Sequence, residues 1–108
     1  MLFKNRKFKR SASSLEKSVS MEETPARLVA LARIYRVMGS YDKQIKILKR
    51  ALELETDSVS IMQLLADAYI HEGDKKEAEK MFKSILKIDP NNLRAKQALT
   101  TQTTLKNI

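Results

Sequence analysis

Four pairs of like residues stand 34 positions apart in this chain: Leu31 and Leu65, Ala32 and Ala66, Tyr35 and Tyr69, Gly39 and Gly73. A fixed period of that size marks an array in which each unit is one supersecondary element, unable to bury its apolar face alone and stacked on its neighbours to make a core. Within each period the apolar spacing is helical. Leu28, Leu31, Ala32, Tyr35 and Met38 fall on one face of a helix that opens at Thr24–Pro25, with Thr24 as N-cap and Pro25 in the first turn, and ends at Gly39–Ser40. Ile45, Leu48, Ala51 and Leu52 then mark a second helix that closes near Glu55–Thr56–Asp57. Met62, Leu65, Ala66 and Tyr69 mark a third, from about Ser58 to His71. Gly73 stops it, Asp74 caps a fourth, and Ala78, Met81, Phe82, Ile85 and Leu86 point inward from that one. After the turn Asp89–Pro90–Asn91–Asn92, a fifth helix runs from Leu93 to about Thr100, and Thr101 to Ile108 reads as a frayed end.

Composition agrees with helices joined by short breaks: two Gly and two Pro in 108 residues leave few places to turn. Absence of Cys excludes a disulfide scaffold, a thiolate metal site and a cysteine nucleophile. No apolar run approaches the ~20 residues that a membrane-spanning helix needs, and basic residues interrupt Leu2, Phe3 and Phe8 where a secretory segment would be apolar. Cytoplasmic placement is therefore expected, with a presequence left open because the start is Ser-rich and acid-poor as far as Glu16. The formal charge of +8 is uneven. Lys4, Arg6, Lys7, Lys9 and Arg10 crowd the first ten residues without an acid, while the segment from Val59 to Asn92 is near neutral. Residues 1–24 accordingly read as a flexible basic and Ser-rich tail, with at most a short helix around Leu15 to Met21.

The pattern Met62-x-x-Leu65-Ala66-x-x-Tyr69, then Gly73, Ala78-x-x-x-Phe82 and Pro90, resembles the tetratricopeptide-repeat (TPR) family. Leu28-x-x-Leu31-Ala32-x-x-Tyr35, then Gly39, Tyr41, Leu48 and Ala51, repeats it. Departures fall at Gln44, where a small residue is usual, at Thr56, where Pro is usual, and at Ile85, where Ala is usual. The resemblance implies an all-α, right-handed α-α superhelix within residues 25–100: a hairpin over 25–58, a second over 59–92 and a C-terminal capping helix over 93–100, with Ala95 and Leu99 covering the second hairpin. Two repeats fall below the usual minimum of about three, so low stability is expected, relieved by a homo-oligomer or a bound partner. A monodisperse monomer with a high melting temperature would contradict that expectation.

The inventory offers little chemistry. His71 stands without further ligands at helical spacing, the serines lack a paired base, and two glycines make no phosphate loop. Neither a cofactor, a metal nor a catalytic residue is expected. Glu77 and Glu79 with Lys75, Lys76 and Lys80 form a solvated, charge-paired helix face.

What the family resemblance implies instead is protein–protein interaction, as an adaptor or assembly factor, in a concave groove lined by the first helix of each hairpin. By register the groove residues are Val29, Arg33, Arg36 and Val37, then Gln63, Asp67, Ile70 and His71, with Arg94 from the cap; a peptide or partner helix with an acidic element near Arg33 and Arg36 would fit. The family's two-carboxylate clamp uses Lys and Asn at set positions that here hold Val29, Arg33, Leu64 and Ala98, so that clamp is not carried over. Two alternatives stand beside this: a peripheral binder of anionic membrane or nucleic acid through Lys4, Arg6, Lys7, Lys9 and Arg10, or a self-assembling structural oligomer.

Overall fold

The computed structural model describes the backbone from residue 2 to 106 and side chains from 6 to 100. Among the described residues there are six helices: α1 (Leu2–Met21), α2 (Pro25–Val37), α3 (Tyr41–Leu54), α4 (Val59–His71), α5 (Lys75–Ile88) and α6 (Leu93–Lys106). They fall into two compact units that divide between Thr56 and Asp57.

In the first unit α2 and α3 form an antiparallel hairpin and α1 packs on α2. Thr24 accepts the N–H of Arg27 at 3.2 Å and Pro25 occupies the first turn, as expected from the sequence. The turn out of α2 is a Schellman motif. Ser40 N–H donates to the Tyr35 carbonyl at 2.8 Å, Gly39 N–H donates to that of Arg36 at 3.0 Å, and Gly39 takes φ +75°. Leu28, Leu31, Ala32, Tyr35, Leu48 and Ala51 are buried. Gln44 is buried with them at 2% exposure, and its Oε1 has no hydrogen-bond partner.

The first twenty-four residues depart from the expected flexible tail, since Leu2–Met21 is one helix. Ala12 is buried in a cluster with Leu31 and Tyr35, and Leu15 and Val19 pack against it beside Ile34, Met38 and Ile47. Polar ties do the rest. The Arg27 guanidinium reaches back from the first turn of α2 and donates to the Ser18 carbonyl at 2.9 Å, which also accepts the Glu22 N–H at 3.1 Å, and to the Glu22 carbonyl at 3.1 Å. Tyr35 Oη donates to Glu16 Oε1 at 3.0 Å, and Lys43 Nζ stands 5.9 Å from the centre of the same ring. Arg50 of α3 pairs with Glu23 in the turn between α1 and α2, and with Glu53 at 2.7 Å.

The second unit repeats the scheme. Ser58 accepts the N–H of Ile61 at 3.2 Å to start α4, and Asp74 accepts that of Glu77 at 3.2 Å to start α5. Between these helices Asp74 N–H donates to the Tyr69 carbonyl at 2.8 Å, Gly73 N–H to that of Ile70 at 3.0 Å, and Gly73 takes φ +79°. Ile61, Met62, Leu65, Ala66, Tyr69, Ala78, Phe82 and Ile85 are buried. Glu77–Lys80 at 3.0 Å and Glu79–Lys83 at 3.2 Å pair along the outer face of α5. Asn92 accepts the N–H of Ala95 at 3.0 Å to open α6, which packs on α5. Ala95 is fully buried and Leu99 half-buried, whereas Leu93 is exposed. The backbone helix extends to Lys106, past the Thr100 limit expected from the sequence, and residues 107–108 of the expected frayed end lie outside the described residues.

Candidate functional site

Packing buries part of the circumference of α2 and of α4 and leaves other residues of each helix at the surface. On α2, Leu28, Leu31, Ala32 and Tyr35 are taken by the core. Val29 is half-buried, and Arg33 and Arg36 are exposed one helical turn apart, with Val37 beside them at 58% exposure. Neither arginine forms an ion pair among the described residues. Arg36 also lies in the last turn of α2, where the partial negative charge of the helix end favours a cation. This face is cationic with an apolar margin.

The corresponding side of α4 differs in charge. Gln63 and Asp67 are half-buried, and Ile70 stands out at 49% exposure, next to His71. Asp67 occupies the repeat position of Arg33, 34 residues on, and its carboxylate is paired with the guanidinium of Arg94 from α6. Two of the residues singled out from sequence are thus brought into direct contact within the second unit, and their charges offset one another.

The basic cluster near the start does not sit on a loose segment. Arg6, Lys7 and Arg10 lie on α1 and, with Ser11, Ser14, Leu15 and Ile34, line an open cleft of about 800 Å³ between α1 and α2. Lys9 is exposed on α1 outside the cleft lining, and the Lys4 side chain lies outside the described residues. None of Val29, Arg33 or Arg36 lines the cleft. Sequence reasoning missed it because the floor, Leu15 and Ile34, comes from two helices of which one was read as a tail.

Among the described residues no group of three or more His, Cys, Asp or Glu is arranged to hold a metal ion, and no helix is long and apolar enough to cross a membrane.

Paired antiparallel helices, each closed by the same glycine turn at a 34-residue period, define a helical-hairpin repeat protein. A tetratricopeptide-repeat family model matches residues 38–102, and the chain belongs to that family. It is similar to tetratricopeptide repeat protein 8 of Caenorhabditis elegans, with 27% identity over 66 residues, which is 61% of this chain and 13% of that protein. Among solved structures it is similar to MamA, with a TM-score of 0.83 and 21% identity over 93% of this chain and 59% of that one. It is also similar to the first TPR domain of Spaghetti (RPAP3) bound to an HSP90 peptide, SRMEEVD, with a TM-score of 0.79 and 18% identity over 98% of this chain and 85% of that one. At these identities the likeness to MamA and RPAP3 is one of fold.

Proposed function

We propose that this chain is a non-catalytic interaction module, an adaptor or assembly factor that holds an acidic segment of a partner protein on the exposed sides of its first helices. The observation that carries this reading is the pair Arg33 and Arg36, exposed on α2 without an acidic partner among the described residues and bordered by Val37 and the half-buried Val29. Cations with adjoining apolar surface favour a segment that offers carboxylates and a small hydrophobic side chain. Within the second unit, Gln63, Asp67 and Ile70 on α4 and Arg94 on α6 are the corresponding candidates. The RPAP3 domain with its carboxylate-rich peptide supports the same class of ligand, although Val29, Arg33, Leu64 and Ala98 stand where the family's carboxylate clamp has Lys and Asn.

Affinity capture from the source lysate, comparing wild type with the double variant Arg33→Glu, Asp67→Arg, tests this. A prey retained by the wild type and lost by the variant supports binding through these helix faces. Equal retention by both proteins contradicts it.

A further inference from the structure

In both hairpins the second helix buries a triplet against the first: Gln44, Leu48 and Ala51 on α3, and Ala78, Phe82 and Ile85 on α5. The second triplet follows the first at 34 residues. Continued backwards across the three-residue turn that joins α1 to α2, one residue shorter than the turn joining α3 to α4, the register falls on Ser11, Leu15 and Ser18. All three are half-buried rather than buried. Helix α1 thus occupies the place of a second helix. The cleft opens there, with Ser11 and Leu15 in its lining.

We infer that this cleft is a second binding site, separate from the faces of α2 and α4, and that it takes an acidic segment of a partner protein carrying at least one apolar side chain. Arg6, Lys7 and Arg10 surround it, and none of them forms an ion pair among the described residues. Ser11 and Ser14 add hydroxyl donors for carboxylate oxygens, and Leu15 and Ile34 make an apolar floor. The first unit as a whole holds thirteen Lys and Arg against six Asp and Glu, while the second holds eight against seven, so the long-range field draws an anion to this end of the chain.

The lining also distinguishes a peptide from other polyanions. A membrane surface engages apolar side chains that protrude, whereas Leu15 and Ile34 are half-buried in the cleft lining. Single-stranded nucleic acid binds on aromatic platforms, and among the described residues none lines the cleft. A volume of about 800 Å³ holds a few side chains of a peptide.

The test is fluorescence anisotropy with the full chain and a labelled synthetic dodecapeptide of Asp, Glu and Ala that carries two Leu one helical turn apart. Saturable binding is expected, weakened about tenfold or more by Arg6→Glu, Lys7→Glu, Arg10→Glu combined, and by replacing both peptide Leu with Ser. The charge-matched set Lys43→Glu, Lys46→Glu, Lys49→Glu on α3 is expected to weaken it by less than about threefold. Arg33→Glu with Arg36→Glu leaves it in place, which keeps this site distinct from the one proposed for α2. In the unmodified protein, the methyl resonances of Leu15 and Ile34 shift on peptide addition while those of Val37 and Ile70 do not. Equal loss in the α3 set, indifference to the Leu-to-Ser change, or loss in the Arg33, Arg36 variant overturns the inference. So does tighter binding of phosphatidylserine vesicles or a single-stranded oligonucleotide through the same three cations.

Discussion

The phenol of Tyr35 on α2 donates to the carboxylate of Glu16 on α1 at 3.0 Å, joining two side chains that lie nineteen residues apart in sequence. Burial, then this hydrogen bond, then the negative charge of Glu16 push the Tyr35 hydroxyl up to about 12 from its ordinary 10.0. The folded state keeps a proton that the unfolded chain gives up near pH 10.0, so this contribution to stability is complete below that value and is lost as pH rises toward 12. Phenolate absorbance followed against pH should show one late-titrating tyrosine, and Glu16→Gln should bring it forward. An unchanged profile in the variant would mean that Glu16 has no part in the shift.

Gln44 predicts a gain rather than a loss. Its Oε1 is buried without a partner, at the position that Ala78 fills one period later. Leaving a buried acceptor unsatisfied costs about 1–3 kcal/mol, and a methionine of similar length removes the acceptor while filling the space. Gln44→Met is expected to raise the urea midpoint with an unchanged slope. A lowered midpoint would show that the amide makes a compensating interaction.

The glycine turns separate conformation from packing. A Cβ at Gly39 or Gly73 would meet no atom within 4 Å, yet both residues hold positive φ. Alanine at either site should cost about 1–2 kcal/mol from backbone conformation alone, and asparagine less. Equilibrium unfolding of Gly73→Ala and Gly73→Asn checks the order of the two.

The helical pattern and both glycine turns were legible in the sequence because they repeat, and two occurrences of one spacing corroborate each other. Helix α1 was not legible. Among the described residues its contribution to the apolar cluster is Ala12, Leu15 and Val19, and polar ties join them, with Arg27 donating to two carbonyls and Tyr35 donating to Glu16. Bonds from side chains to a distant helix end leave no periodic trace. The pairing of Asp67 with Arg94 was hidden for a related reason: each residue was singled out for the groove face, but their contact depends on how α6 lies within the second unit.

That pair is solvent-exposed on the Arg94 side, so its coupling should be small. A double-mutant cycle with Asp67→Asn and Arg94→Gln is expected to return about 0.2–1 kcal/mol, diminishing with added salt. A salt-independent coupling well above that range would point to a pair far less hydrated than its exposure indicates.

The slender seam under α1 has a consequence for the rest of the molecule. Half-buried Leu15 and Val19 each contribute less than the ~1.5–3 kcal/mol of a fully enclosed side chain, so α1 is expected to detach before its neighbours melt. Its amides should be among the first to exchange with deuterium, and each detachment uncovers Leu31 and Tyr35. Because the cleft exists only while α1 is seated, anything that fills it must also hold the helix down, making occupancy and local order a single equilibrium.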